Sequence, residues 1–310
     1  MSVALRSAVH EPPSAVLHAS ELVCVGRFRC PTNHPRFNDS GPTKWFCFVF
    51  PRTAVWIEHE GSAPFVADAN VIPLYNRGRP YQRRAISRHG DRTDWFAVAP
   101  GLLREMLARY DLNAANDAGT LFRFGYGRAT PRIYAWQRAV FDTVATGASP
   151  DGLFVEESVV GLLSQVLQTL YGAPPPISDR REHRAIVEET RAHLAGSYAG
   201  NESLADIARA TGVSVFHLCR LFRRLTGRTL HGYRGQLRLH RALEQISDGT
   251  QDLLGLATDL GYSGHSHFTA AFRAAFGTTP SEWRATGSYS RAAQALADCA
   301  ALSAAPALRR

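Results

Sequence analysis

The sequence predicts an α+β protein. A strand-rich sandwich or barrel with associated helices comes first, and an all-α domain of two helix-turn-helix units joined by a linker helix follows. Short runs rich in β-branched and aromatic residues alternate with turn residues between about positions 21 and 98. Helical periodicity takes over from position 102. In the last third of the chain one motif occurs twice, at a spacing of 49–50 residues.

The composition is that of an ordinary soluble globular protein. The chain has 310 residues, of which 45% are hydrophobic and 20% are charged, and this length suffices for two domains. The five scattered cysteines fit no disulfide framework, so we expect reduced thiols. No secretory signal precedes the first strand, and no apolar run is long enough to span a bilayer. These features predict a cytoplasmic protein with no membrane association.

The net charge of +8 is carried almost entirely by arginine, because Lys44 is the only lysine. Arginine forms bidentate contacts with phosphate and guanine, but a lysine-poor composition also results from a GC-rich genome, and the composition leaves both explanations open. The distribution is more informative. Positions 209–243 contain no acidic residue and eight arginines, at 209, 220, 223, 224, 228, 234, 238 and 241. Solvated basic faces normally mix both signs, so this window predicts a surface for a polyanion.

The first domain is predicted to contain six short strands and then three helices. Pro, Gly, Asn and Asp turn signals separate the strands, which cover residues 21–30, 45–50, 53–60, 71–76, 81–87 and 92–98. The helices, predicted from apolar stripes of period 3.6, cover residues 102–110, 132–146 and 156–171.

Three consecutive prolines at 174–176 mark the domain boundary, because they favour an extended spacer and cannot continue a helix. We therefore predict a first domain at residues 1–176 and a second at 177–290. The alanine-rich residues 291–310 are predicted to form a low-complexity tail, either a frayed helix or disordered.

Each copy of the repeated motif has the layout of a helix-turn-helix, which places its second helix in the major groove of DNA. The first copy comprises Ile207-Ala208, Gly212-Val213-Ser214, Leu218, Leu221-Phe222, Gly227 and Thr229. The second comprises Leu256-Ala257, Gly261-Tyr262-Ser263, Phe268, Ala271-Phe272, Gly277 and Thr279. Between them, residues 230–247 have helical spacing. A helix of that length rises roughly 25 Å, which would hold the two reading helices about one DNA turn apart.

In the first unit, Leu204 is expected on the inward face of the first helix, with Asn201 or Ser203 as N-cap. Ser214 is expected to cap the second helix, whose apolar stripe must face the core. The opposite stripe, which would enter the groove, comprises Phe216, Cys219, Arg220 and Arg223. Arg220 is the best candidate for a guanine contact, whereas His217, Arg224 and Arg228 are candidates for phosphate contacts. In the second unit the exposed positions are His265, Ser266, Thr269, Ala270 and Arg273.

These residues carry a family resemblance. The segment Ile207-Ala208-x3-Gly212-Val213-Ser214-x3-Leu218-x2-Leu221-Phe222 resembles the first half of the AraC/XylS family of transcriptional regulators. The segment from Gly261-Tyr262-Ser263 through Phe268, Phe272, Phe276-Gly277 and Pro280 to Trp283-Arg284 resembles the second half. The resemblance implies that Phe216, Cys219 and Arg220 face bases in the first unit, and His265, Ser266 and Thr269 in the second. The candidate phosphate contacts are His217, Arg223, Arg224, Arg228 and Arg273.

Two positions depart from the family pattern. Gly264 stands where a serine is usual, so the second reading helix should have a weaker N-cap. Ala270 stands where an arginine is usual, so a DNA contact is missing. We therefore expect the second unit to read sequence loosely and the first to supply most of the grip.

The resemblance also implies an N-terminal sensor or dimerisation domain, often cupin-like. It implies double-stranded DNA and RNA polymerase as partners, a homodimer, a small-molecule effector and activation of transcription. Because the helices predicted at 132–146 and 156–171 carry Val and Leu stripes, they either pair between protomers or pack on their own sheet.

The first domain contains four residues of types that bind soft metals, Cys24, Cys30, His34 and His59. They lack CxxC or HxH spacing, so buried structural side chains are the preferred interpretation, and we expect no metal and no cofactor. No catalytic constellation is identified, and we expect no enzymatic activity. The alternatives are a cupin-like catalyst fused to a DNA reader, and an architectural DNA-binding protein without a sensor.

Overall fold

A computed structural model describes residues 13–39, 41–111, 119–147, 151–172 and 180–304. Within these ranges the first domain has nine antiparallel strands, β1 (Ser14–Ala19), β2 (Val23–Cys30), β3 (Phe46–Pro51), β4 (Val55–His59), β5 (Phe65–Ala67), β6 (Val71–Tyr75), β7 (Tyr81–Ala85), β8 (Asp91–Val98) and β9 (Tyr126–Arg128). A six-stranded sheet has the order β1-β2-β8-β3-β6-β9, and a three-stranded sheet has the order β5-β4-β7. The strand-rich first domain predicted from the sequence is confirmed.

Alternate residues of the six-stranded sheet enter two different cores, as the period-two geometry of a strand requires. One face packs on the three-stranded sheet, through side chains such as Cys47, Val49 and Trp95. The other face packs under helices, through side chains such as Phe48 and Phe96. Because both faces are covered, the central strands read as continuous apolar runs, and every residue of β3 is buried.

The six predicted strands are all present, with ends shifted by only a few residues. Three further strands, β1, β5 and β9, were not predicted. Two of these, β5 and β9, have three residues each, too few to display an alternating pattern. The third, β1, lies at an edge of its sheet and contains a register irregularity between Val16 and His18.

The described residues of the first domain include three helices, α1 (Pro100–Ala108), α2 (Pro131–Ala145) and α3 (Gly152–Tyr171). Ten residues of α2 are buried, including Ile133, Trp136 and Val140, and they pack into the core under the six-stranded sheet. Of the two roles that the sequence left open for α2 and α3, packing on their own sheet is therefore confirmed. By length and composition α3 could cross a membrane, but its Val and Leu stripes lie in this core, as in a core helix of a soluble domain.

Residues 180–304 form eight helices, α4 (Arg181–Ser197), α5 (Leu204–Ala210), α6 (Val215–Thr226), α7 (Leu230–Ser247), α8 (Leu253–Asp259), α9 (His265–Phe276), α10 (Pro280–Ala285) and α11 (Ser288–Ala304). Helices α5 and α6 form the first helix-turn-helix unit, α8 and α9 form the second, and α7 is the linker helix. The all-α second domain is confirmed. The predicted proline spacer lies outside the described residues.

Helix α11 includes residues 291–304 of the predicted tail, and the remaining residues of that tail lie outside those described. Ala292 is fully buried and Cys299 nearly so, both in the core that contains α2 and α3. At its N-terminal end Arg291 stacks on Trp283, with the guanidinium carbon 4.4 Å from the ring centroid. Alanine-rich composition suggested low complexity, but small side chains are what allow a helix to pack closely against two others.

The two helix-turn-helix units are anchored differently. The first has a core of its own, which includes Leu218, Leu221 and Phe222. The buried residues of the second, such as Phe268 and Phe272, belong to the same continuous core as the six-stranded sheet and α2. The second unit therefore shares its interior with the first domain, whereas the core of the first unit is a separate cluster.

Candidate DNA-binding interface

The first unit is ordered by local caps. The Ser203 side chain accepts a hydrogen bond from the backbone N–H of Asp206, and the Asp206 carboxylate accepts one from the Ser203 N–H, which identifies Ser203 as the N-cap of α5. Gly212 makes the turn at φ +70°, a conformation that favours glycine. Ser214 caps α6, as predicted, by accepting from the His217 N–H. The prediction for Leu204 is wrong: as the first residue of α5 it is 45% exposed.

The outer face of α6 presents the predicted stripe to solvent. Phe216 is 78% exposed, which is unusual for a phenylalanine and is not explained by the core. The guanidinium of Arg220 lies 6.0 Å from the Phe216 ring centroid, so the two side chains form a pair. Cys219 is half-buried beside them, and with Arg223 and Arg224 these residues line one surface cleft. The geometry offers an apolar ring and cationic donors on one helix face.

The flanks of this stripe also carry candidate phosphate contacts. Arg223 and Arg224 are exposed, and neither Arg220 nor Arg223 pairs with a carboxylate of the described chain. His217 is half-buried and its ring makes an edge contact with His183 of α4, at 5.7 Å between centroids. His183 Nδ1 in turn lies 3.4 Å from Arg224 Nη2. The helix α4 thus supports the reading helix from behind.

The arginine-only window is less of a surface than the sequence suggested. Arg209 pairs with Asp206 at 2.9 Å, and Arg241 pairs with the buried Glu244 at 2.9 Å. Arg234 donates to the Glu202 carbonyl. Arg234 and Arg241 therefore brace the fold through partners from outside the window, whereas the pair that Arg209 forms lies at the surface.

Arg228, a predicted phosphate contact, is half-buried at the end of α6. Burial lowers its pKa, and the nearby Arg128 guanidinium lowers it further. Arg128 belongs to β9 and also lies against Gly227. A phosphate at this point would relieve the repulsion between two arginines, so the role of Arg228 stays a prediction.

The second unit repeats this architecture, except that its second helix lacks a side-chain N-cap. Gly261 makes the turn at φ +75°. Gly264 occupies the N-cap of α9 and provides no side-chain hydrogen bond, as predicted from its departure from the family pattern. His265, Ser266, Ala270 and Arg273 are exposed, and Thr269 is half-buried. The predicted readers of this unit thus share one surface, but none of them forms an aromatic–arginine pair like that on α6.

Restoring the missing cap is expected to stabilise the chain slightly. Gly264→Ser should raise the free energy of unfolding by a few tenths of a kcal/mol, because a serine side chain can cap α9. The backbone at position 264 is extended (φ 169°) and suits any residue, and the added Cβ would meet nothing within 4 Å. Urea unfolding measures this. The matched control is Gly277→Ser at φ +77°, which should destabilise by about 1 kcal/mol. The same sign for both variants would contradict the capping argument.

The four candidate metal ligands do not form a cluster. Burial raises the pKa of the Cys24 and Cys30 thiols and lowers that of His59 to about 4. His59 packs between the rings of Phe65 and Tyr75, and His34 Nδ1 accepts from the Arg36 N–H. Within the described ranges no three His, Cys, Asp or Glu side chains are grouped as metal ligands.

Sequence reasoning missed the importance of Arg238 in α7. Its guanidinium donates to the carbonyls of Tyr198 and Gly200 near the first unit, at 2.7 and 2.8 Å, and to the carbonyl of Gly261 in the second, at 3.0 Å. It therefore ties both units to the linker helix. Its three-carbonyl role could not be read from spacing, because the carbonyls come from distant segments.

Comparisons with known proteins include one match whose residues lie within the second domain. A family described as "Helix-turn-helix domain" matches residues 207–286. "Regulatory protein SoxS" of Escherichia coli is 30% identical over 102 residues, which are 33% of this chain and 95% of that protein. "HTH-type transcriptional activator AarP" of Providencia stuartii is 28% identical over 113 residues, 35% of this chain and 84% of that protein.

Two solved structures are similar in part. A transcriptional regulator from Chromobacterium violaceum, described as having an AraC-type DNA-binding domain, is 28% identical, with a TM-score of 0.32, over 34% of this chain and 95% of that one. Unsaturated fatty acid bound ToxT from Vibrio cholerae is 13% identical, with a TM-score of 0.34, over 86% of this chain and 96% of that one.

Proposed function

The chain belongs to the AraC/XylS family of transcriptional regulators, and from that membership we propose that it is a sequence-specific activator that binds double-stranded DNA through both units and acts with RNA polymerase. The observation that carries the proposal is the outer face of α6, where an exposed phenylalanine and arginines are held on a capped helix. We further propose that it works in the cytoplasm, without a cofactor or catalytic activity, with residues 1–176 and 177–290 as its domains.

In this proposal the two units contribute unequally. On α6, Arg220 reads a guanine, while the Phe216 ring contacts an adjacent thymine methyl and Cys219 lies beside them. Arg223, Arg224, Arg228 and His217 contact phosphates. On α9, His265, Ser266 and Thr269 face the bases and Arg273 faces the backbone, but the small Ala270 leaves a gap. Most of the sequence preference therefore comes from the first unit.

Replacing Arg220 by alanine should weaken binding to a selected operator by about 1–3 kcal/mol and relax preference at one base pair. Fluorescence anisotropy with an operator obtained by selection from random DNA, and with single-base variants of it, measures both effects. Arg209→Ala is the control, because Arg209 is exposed but lies on α5 and is paired with Asp206. His265→Ala should have a smaller effect than Arg220→Ala. An unchanged binding profile for Arg220→Ala would remove the assignment of α6 as the main reader.

We propose that the first domain controls the reading units through two polar contacts, one with α4 and the start of α7 and one with the end of α7. The first, here called the strand latch, comprises Val66, Asp68, Glu188, Arg191 and Tyr233. Glu188 accepts from the Val66 N–H at 2.7 Å, and Arg191 donates to the Val66 carbonyl and to Glu188. The Tyr233 hydroxyl donates to Asp68 at 2.7 Å and accepts from Arg191 at 2.8 Å. Side chains of the second domain thereby satisfy the free edge of β5.

The second contact lies at the C-terminal end of α7. Glu244, 1% exposed, accepts from the Tyr134 hydroxyl of α2 and lies 3.7 Å from Arg52, in the turn between β3 and β4. Asp248 pairs with Arg52 and, at 3.1 Å, with Arg138 of α2. Separating a buried charge from its partner costs several kcal/mol of free energy. These pairs therefore favour one relative arrangement of the two domains. An effector or a second protomer that shifted the first domain would move both reading units.

The interface also predicts a pH response. His240 on α7 is fully buried, stacked 4.0 Å from the Tyr134 ring, and burial lowers its pKa to about 3. Below pH ~6.5 the unfolded chain binds a proton that the folded chain excludes, so stability falls by up to about 1.4 kcal/mol per pH unit between pH 6.5 and about 3.

His240→Phe should keep the ring contact and make the slope of unfolding free energy against pH shallower below pH 6.5. Urea unfolding between pH 4.5 and 8 measures the slope. Above pH 7 the two curves should run parallel, which serves as the internal control. Parallel curves below pH 6 as well would contradict a neutral buried histidine.

A homodimer remains part of the proposal. Because the stripes of α2 and α3 are used inside the protomer, a dimer contact must use another surface, and sedimentation of the full chain with and without operator tests for it.

A further inference from the structure

The end of the six-stranded sheet remote from the polar contacts on α7 carries exposed apolar side chains that neither the core nor DNA binding explains. Leu22 and Trp45 are 44% and 48% exposed. They precede β2 and β3, whose first residues both pair with Val98 of β8. Exposed apolar patches on soluble domains commonly mark binding sites.

Next to Trp45 the surface forms a cleft of about 600 Å³, within the range of small-molecule sites. Phe46, Val98, Pro42 and Pro100 supply apolar walls. The walls are fixed by Thr43, whose carbonyl accepts from the Gly78 N–H at 2.9 Å and whose hydroxyl donates to the Trp45 carbonyl at 3.0 Å. The cleft is therefore built by hydrogen-bonded turns and an aromatic wall.

The charges that the described residues bring to this cleft have one sign. Among those residues, its lining includes Lys44 and Arg77 and no acidic side chain. Both cations are exposed, and neither pairs with a carboxylate within the described ranges. The cleft also borders the N-terminus of α1, where Ala99 supplies no capping side chain. The cleft can thus accommodate a ligand that has an apolar body and a negatively charged group.

We propose that this cleft binds a small aryl carboxylate, with the ring against Trp45 and the carboxylate between Lys44 and Arg77. A second copy of the chain fits less well, because a two-fold contact through this patch would bring Lys44 and Arg77 of both protomers together. The site deepens the regulator proposal by locating an effector site. The ligand's role as effector rests on that proposal, but its binding does not.

Isothermal titration of the full chain with 2-naphthoate, in the absence of DNA, tests the site. We expect saturable binding at one site, and binding of the neutral 2-naphthamide at least tenfold weaker. Trp45→Ala should weaken naphthoate binding about tenfold. The double variant Lys44→Gln, Arg77→Gln should weaken it about three- to tenfold and reduce the preference over the amide. Arg27→Gln is the control, since Arg27 is an exposed cation on β2 outside the cleft.

The proposal is overturned if naphthoate does not bind at millimolar concentration, or binds equally to the variants and the control. It is also overturned if Trp45→Ala dissociates a dimer in sedimentation, because the patch would then be covered by a second copy. Operator binding of the Lys44, Arg77 variant without naphthoate should equal that of the unmodified chain. A failure of operator binding in all proteins would reject the regulator proposal while leaving the titration result intact.

Discussion

Arg191→Met is expected to lower the free energy of unfolding by about 3–5 kcal/mol, one of the two largest effects predicted for this chain. The substitution leaves Glu188 and Asp68 buried without the cation that both face. Burial already raises the pKa of Asp68, and loss of the guanidinium removes the main opposing influence. Urea unfolding at pH 7, followed by circular dichroism, measures the loss.

The control for this experiment is Arg209→Met, which breaks an exposed pair on α5 and should change stability by no more than about 0.5 kcal/mol. The double variant Arg191→Met, Glu188→Gln should recover part of the loss, because it removes a buried unpaired charge. If Arg191→Met lowered the free energy of unfolding by less than about 1 kcal/mol, the strand latch would not stabilise the protein in solution.

Gly261→Ala is expected to lower the free energy of unfolding by about 2–5 kcal/mol and to weaken operator binding. At φ +75° an alanine is strained, and its Cβ would lie 2.2 Å from the Ala199 carbonyl oxygen and 2.8 Å from Arg238 Nη2. Relief of the clash must move Arg238, which ties both units to α7. The relative position of the two reading helices would then change, and with it the fit to two consecutive grooves.

Gly212→Ala is the matched control, because Gly212 makes the corresponding turn in the first unit at φ +70° but its added Cβ would meet nothing within 4 Å. It should cost only about 1–2 kcal/mol of backbone strain. Thermal unfolding and anisotropy on the same operator compare the two variants. Equal losses would show that strain alone, and not displacement of Arg238, determines the outcome.

Features determined by neighbouring residues were predictable from the sequence. The bounds of the linker helix, the Ser214 cap and the uncapped Gly264 all follow from side chains within one turn of the position concerned. The six predicted strands follow from alternation and turn residues in the same way. The surface stripe on α6 follows from helical period, because the apolar stripe opposite to it must be buried.

Features determined by distant segments were not predictable. The role of Arg238 depends on carbonyls up to forty residues away, and the strand latch joins positions more than a hundred residues apart. The arginine window looked like a free surface because its partners, such as Glu244, lie just outside it. Leu204 fits the inward stripe by spacing, but the first turn of α5 extends beyond the core that it would enter.

The shared core of the second unit and the first domain limits how this chain can be divided. A relative such as SoxS corresponds to about a third of the chain. Here Phe268 and Phe272 lie in the same interior as the six-stranded sheet, and α11 returns from the second unit to cover α2 and α3. A cut in the proline spacer would separate the domains in sequence but expose a common interior on both fragments. The domain boundary in the sequence is therefore not a boundary of the folded interior, and exchanging the first domain between relatives would require a new interior as well as a new connection.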